Sequence, residues 1–143
     1  MHALDTTTLQ RLEALAQDAR ARAYAPYSQF RVGAALLVAD GTVFAGANVE
    51  NASYSMTICA ERVAVAQAVA QGHRELRALV IAGDAPTLSP CGACRQVLAE
   101  FGDDELLVAF PHEGELTTMR LGELLPIGFH GAALGVASAA WPA

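Results

Sequence analysis

Apolar residues recur along the chain with two periods, and the switches between them mark out the elements. Over residues 5–24, Leu9, Leu12, Leu15, Ala16 and Ala19 share one face at helical spacing, and Asp5 or a following threonine can cap it. Pro26 closes that helix, because it disfavours helical backbone at Ala25. Residues 30–38 read as a strand, Asp40-Gly41 as a hairpin turn with glycine free to take positive φ, and residues 42–49 as the returning strand. Residues 59–72 are predicted helical and end at Gly72. Residues 76–82 are a continuous apolar run of the kind that forms a buried strand. Pro90 sits ahead of a second such helix, 91–101, followed by a strand over 105–110. A weak strand over 115–119 and a short helix over 120–125, stopped at Pro126, complete the pattern. Strands alternating with helices after an opening hairpin predict an α/β layered domain with a mixed sheet, and all 143 residues read as one domain.

Composition narrows the function. The net charge is −6 and the nine basic residues are all arginine, with no basic run, so a long nucleic acid finds no counterion-displacing surface. Just over half the residues are hydrophobic and only 17% are charged, which excludes disorder. Residues 1–5 lack the basic start and apolar run of a signal peptide, and the apolar tail from Ile127 is too broken to span a membrane. A cytoplasmic protein is the default expectation. In a reducing compartment three cysteines, two of them in Cys-x-x-Cys, point to metal or redox chemistry before disulfides.

The cysteines carry the chemistry. Cys59-Ala60-Glu61-Arg62 is answered by Pro90-Cys91-Gly92-Ala93-Cys94, a known zinc-deaminase signature in its three-cysteine form. Both groups fall at predicted helix starts, where unpaired N–H groups favour thiolate over thiol. Three thiolates leave a tetrahedral zinc ion one open position, as catalytic rather than structural sites do. Zinc would bring the pKa of bound water to roughly 7. Glu61, two residues from Cys59 and not a ligand, is placed to take that water's proton and pass it to a substrate. Arg62, in preference to Arg95, is the candidate to offset the charge of the sulfurs. Taken singly, each cysteine would read as a core residue, and Asn48-Val49-Glu50-Asn51 as a solvated strand end.

Over most of its length the chain resembles the cytidine deaminases in their short homotetrameric form. The resemblance runs through Pro26-Tyr27-Ser28-Gln29-Phe30-Arg31-Val32-Gly33-Ala34-Ala35-Leu36, Asn48-Val49-Glu50-Asn51-Ala52-Ser53-Tyr54, Thr57-Ile58-Cys59-Ala60-Glu61-Arg62 and Pro90-Cys91-Gly92-Ala93-Cys94-Arg95-Gln96, to Leu124-Leu125-Pro126. It implies a three-layer α-β-α fold with a five-stranded mixed sheet. It implies one Zn2+ per chain on Cys59, Cys91 and Cys94, with Glu61 moving protons. Asn48 and Glu50 would bond the ribose, Phe30 would pack near the nucleoside, and the backbone of Ala60 and the segment near Ser89 would meet the pyrimidine. Phe129 matches an aromatic that reaches into a neighbouring subunit's site, and Tyr54 falls at a subunit contact. The implied activity is deamination of cytidine and 2′-deoxycytidine, a step of pyrimidine salvage. Two departures stand out: Phe129-His130-Gly131 replaces the family's Phe-Gly-Pro, and Ser55-Met56 replaces Gly-Leu.

Three other readings are open to the sequence. One is a deaminase of another aminopyrimidine, such as a blasticidin-type antibiotic. The others are a non-catalytic zinc-binding module and a Cys91–Cys94 redox pair. The absence of lysine and of a glycine-rich phosphate loop favours a free nucleoside over a nucleotide. No role is assigned to the tail from Ala132 or to its Trp141.

Overall fold

The computed structural model describes residues 3–136, so Met1, His2 and Trp141 lie outside the described residues. Five strands, β1 (Val32–Val38), β2 (Val43–Ala47), β3 (Leu76–Gly83), β4 (Leu107–His112) and β5 (Glu115–Arg120), form one sheet in the order β2-β1-β3-β4-β5. Three of its pairings are antiparallel, and β3–β4 is parallel, so the sheet is mixed.

Alternation along β1 divides the core. Ala34, Leu36 and Val38 face one side with Leu79, Ile81 and Val108, while Ala35 faces the other with Ala78, Val80 and Ala109. The second side is covered by α1 (Thr6–Arg20) through Leu12 and Ala16. Burying Leu12 completely contributes about 2 kcal/mol relative to leaving it exposed. The first side is covered by α2 (Ala60–Ala70), α3 (Gly92–Phe101) and the short α4 (Leu121–Leu124). The result is the expected three-layer α-β-α arrangement.

A turn at one end of β2 and a close approach along it fix the path of that strand. Hairpin β1–β2 turns through Gly41 at φ +91, and Asp40 Oδ1 accepts the Thr42 N–H at 2.9 Å. Farther along β2, a Cβ at Gly46 would lie 2.4 Å from Ala60 O and 2.7 Å from Ala64 N, so only glycine lets the first turn of α2 approach so closely.

Several element ends differ from the pattern-based expectation, each for a visible reason. The first helix stops at Arg20 rather than Tyr24, because Tyr24 N–H bonds Asn48 O and Tyr24 O accepts from Glu50 N–H. Strand β1 begins at Val32 rather than Phe30, since the preceding backbone is bonded by side chains instead of a neighbouring strand. Strand β4 starts two residues late, after a turn in which Leu106 N–H returns to Asp103 O. A 3-10 turn at Tyr54–Met56 and another at Gly131–Leu134 were not anticipated by periodicity.

Candidate active site

Cys59 and Cys91 are the N-caps of α2 and α3, and Cys94 lies in the first turn of α3. Neither cap is closed by its own side chain, which leaves both sulfurs available as ligands. The three Sγ atoms lie within 4.8 Å of one another, so the positive ends of two helices meet at this cluster. Among the described residues, His73, His112 and His130 lie outside the cluster.

Without a cation the thiols compete for charge. Hydrogen bonding from Cys94, then the Arg62 guanidinium, bring the Cys59 thiol down to about 5. The same bond, burial and the Glu61 charge push Cys94 upward. A divalent soft-tolerant ion resolves this competition, since it takes the place of the thiol protons. Three cysteine sulfurs with, among the described residues, no fourth protein donor in the cluster fit zinc, and the cofactor is one zinc ion per chain.

Glu61 lies on the buried stripe of α2, among Ala60, Ala64, Val65 and Ala68. Only 5% of its surface is exposed, and Oε2 lies 3.5 Å from Cys94 Sγ. Burial raises its pKa above the ordinary carboxylate range, and the Cys59 charge adds to the rise. An apolar residue at this helical position would cost less, so packing alone does not call for a carboxylate there.

The two arginines separate. Arg62 donates from Nη2 to Cys59 Sγ at 3.8 Å and to Thr57 O at 3.3 Å, and its Nε is buried without a partner. Arg95 donates to Pro90 O at 2.8 Å, to Leu124 O at 2.6 Å and to Ser89 Oγ at 3.3 Å. It ties the Cys91 loop to the end of α4.

Asn48 and Glu50 are buried, and both bond the segment that carries Phe30. Asn48 Oδ1 accepts Val32 N–H at 2.8 Å, while Nδ2 donates to Phe30 O at 2.9 Å. Glu50 Oε1 accepts the Tyr27 and Ser28 N–H groups at 2.9 and 3.0 Å, and Oε2 accepts the Ser28 hydroxyl. These donors, Ser28 first, hold the Glu50 pKa below the usual carboxylate range. Between the two residues, Val49 exchanges a pair of backbone hydrogen bonds with Ile58, at 3.0 and 2.9 Å, one position before Cys59. A cleft beside them is lined by Tyr27, Ser28, Glu50, Tyr54 and Thr57.

Ala60 is fully buried at the start of α2, and Phe30 is half-buried. Phe129 stands apart: its ring is on an exposed residue, 60% accessible, and its carbonyl accepts Gln96 Nε2 at 2.8 Å. Tyr54 is likewise exposed and leans on Tyr27, with ring centroids 5.7 Å apart. Sequence reasoning overlooked the contacts made by Ser28, Thr57 and Gln96. The pairing of Ser28 with Phe30, whose N–H reaches the Ser28 hydroxyl at 3.0 Å, was the one local signal of a turn there.

Three clustered sulfurs at two helix starts on a mixed sheet, with a buried glutamate against one of them, are the donor set and acid–base group of a zinc enzyme. Residues 6–110 match the family described as the cytidine and deoxycytidylate deaminase zinc-binding region, and the chain belongs to it. A cytidine deaminase of Sporosarcina psychrophila is 46% identical over 123 residues, covering 85% of this chain and 90% of that protein. A cytidine deaminase of Mycobacterium tuberculosis is 50% identical over 115 residues, covering 80% and 84%. The crystal structure of cytidine deaminase from Burkholderia pseudomallei superposes with a TM-score of 0.79 at 46% identity, covering 84% of this chain and 98% of that one.

Proposed function

We propose that this chain hydrolyses cytidine and 2′-deoxycytidine to uridine and 2′-deoxyuridine, releasing ammonia. The observation that carries this is the buried Glu61 carboxylate beside the three sulfurs. Zinc held by Cys59, Cys91 and Cys94 would supply an acidified water at its remaining position. Glu61 takes a proton from the attacking water and returns it at N3 of the ring, while the oxygen bonds to C4. A second proton moves through the same carboxylate to the amino group, the C4–N bond breaks, and ammonia leaves. Arg62 offsets the charge of Cys59 during these transfers. Adding water and losing ammonia balances the reaction without a redox partner.

The nucleoside half of the site consists of Phe30 beside the substrate, Asn48 and Glu50 at the ribose, and the Ala60 backbone at the base. Each polar side chain retains capacity beyond the loop contacts described, since an amide and a carboxylate have more lone pairs and protons than those contacts use. The whole chain acts as one catalytic domain. A homotetramer is supported by the exposed Tyr24, Tyr27, Tyr54, Met56 and Ile58, an apolar surface that a second copy would cover, and by Phe129, whose exposed ring would complete a neighbour's site. Among the described residues no helix is long and apolar enough to cross a membrane. We place the enzyme in the cytoplasm, in pyrimidine salvage.

The test is the ultraviolet absorbance of cytidine after adding purified protein, with Glu61→Ala alongside. Loss of the cytidine signal with the wild type alone is expected. Zinc-loaded, folded wild type that leaves both nucleosides untouched would overturn the assignment.

A further inference from the structure

Phe30 sits in a segment whose backbone is completely bonded, and one of the bonding residues belongs to none of the motifs already described. All six polar backbone groups of Phe30, Arg31 and Val32 have partners. Ser28 Oγ takes the Phe30 N–H, and the Asn48 side chain takes Phe30 O and Val32 N–H. Val32 O accepts from Asn48 N–H at 3.2 Å. The two groups of Arg31 both go to Asp84: its Oδ2 accepts Arg31 N–H at 2.9 Å, and its own N–H donates to Arg31 O at 3.2 Å.

The last register pair between β1 and β3 is Val32 with Gly83, so Asp84 lies one step past the end of the ladder. There its carboxylate takes the place of the backbone carbonyl that a longer strand would offer. Two arginines hold the carboxylate in that place. Arg20 Nε, at the end of α1, lies 2.8 Å from Oδ1, and Arg31 Nε lies 3.5 Å from Oδ2. On the other side of Phe30, Gln29 has φ +56, a left-handed conformation that a non-glycine residue keeps only when its surroundings impose it. Releasing the Arg31 N–H would free the peptide on one side of Phe30, next to that strained residue on the other.

We propose that Asp84 is a positioning residue for the nucleoside half of the site, fixing the direction of Phe30 through the Arg31 amide. This rests on the reading that Phe30 packs beside the substrate. The test compares Asp84→Ala, Asp84→Asn and Phe30→Ala in the zinc-loaded protein, following KM and kcat for cytidine, zinc content and thermal midpoint. Asp84→Ala should raise KM about tenfold, from one unpaired N–H, with kcat within about twofold and zinc unchanged. Asp84→Asn keeps an oxygen for the Arg31 N–H while losing the charge and the oxygen that faces Arg20 Nε, so its KM should stay near that of the wild type. Equal damage in the two variants would assign the effect to the arginine pairs and overturn the proposal. So would an unchanged KM in Asp84→Ala when Phe30→Ala raises it. An unchanged KM in Phe30→Ala would remove the placement of Phe30 and this proposal with it. If the alanine variant does not fold, Asp84→Glu, with its acceptor one methylene farther out, should raise KM, and wild-type behaviour there would overturn the proposal.

Discussion

The sulfur cluster and the segment from Tyr27 to Val32 are held in place by different means. Cys59, Glu61, Cys91 and Cys94 stand on the first turns of α2 and α3, whose geometry comes from repeated backbone bonds and from apolar faces buried on the sheet. The Tyr27–Val32 segment has no ladder beyond Val32. It takes its shape from the side chains of Glu50, Asn48, Ser28 and Asp84. On the helices a side chain can therefore be exchanged and the geometry survives, so the loss is in chemistry. In the segment each side-chain bond is itself part of the geometry, so the loss is in binding.

The largest effect expected is at Glu61. Glu61→Gln should lower kcat by about 10³-fold or more while keeping one zinc per chain, and its thermal midpoint should equal or exceed that of the wild type because a buried charge is gone. Activity near the wild-type value would end the proton-carrier assignment and with it the contrast drawn above. Next comes the metal. Cys94→Ala should bring zinc well below one per chain by elemental analysis and abolish turnover, and full zinc content in that variant would remove Cys94 from the ligand set.

Gly46→Ala tests whether the helix position is as fixed as its contacts suggest. The added methyl would meet Ala60 O at 2.4 Å, so the variant should lose about 2 kcal/mol of stability and some kcat, as the first turn of α2 is pushed from β2. A variant with normal stability and rate would show that α2 can shift without harm.

Asn48→Ala should act on the other side of the comparison, raising KM about tenfold with a smaller change in kcat, because Phe30 O and Val32 N–H lose their partners. The smallest signal is the pH dependence of Glu50. Its folded pKa lies below the ordinary value of 4.5, so its contribution to stability is full above about 4.5 and lost as pH falls through the folded pKa. Denaturation midpoints of Glu50→Gln should therefore approach those of the wild type as acidity increases; a constant gap across that range would remove Glu50 as a charged clamp.

The same division governs what could be read from the amino acids alone. The strands, the helices and the placement of Cys59 and Cys91 at helix starts were legible, since apolar period and caps are local properties of sequence. The nearness of three sulfurs was legible through the zinc-deaminase signature, and the five-strand count through the family resemblance, but the order β2-β1-β3-β4-β5 was not, because pairing between distant segments leaves no mark in periodicity. Phe30 looked like the first residue of a strand. Its apolar neighbours fit that pattern, and nothing in them reveals that Asn48 and Asp84, 18 and 54 positions later, take the bonds a strand would have made. Glu50 looked like a solvated strand end for the same reason.

The paired hydrogen bonds between Val49 and Ile58 bear on how the protein opens. Tyr24, Asn48, Glu50, Val49 and Ile58 are laced by four backbone bonds, with Cys59 next in the chain. Opening of the Val49–Ile58 pair would loosen the backbone between Asn48 and Glu50 and the residue before the first sulfur together. In hydrogen–deuterium exchange, the Val49, Glu50 and Ile58 amides should therefore share one protection factor, and tightening the metal should slow all three together. A zinc ion on Cys59 would then be felt at Glu50 through backbone pairing, with no side-chain contact between the two residues.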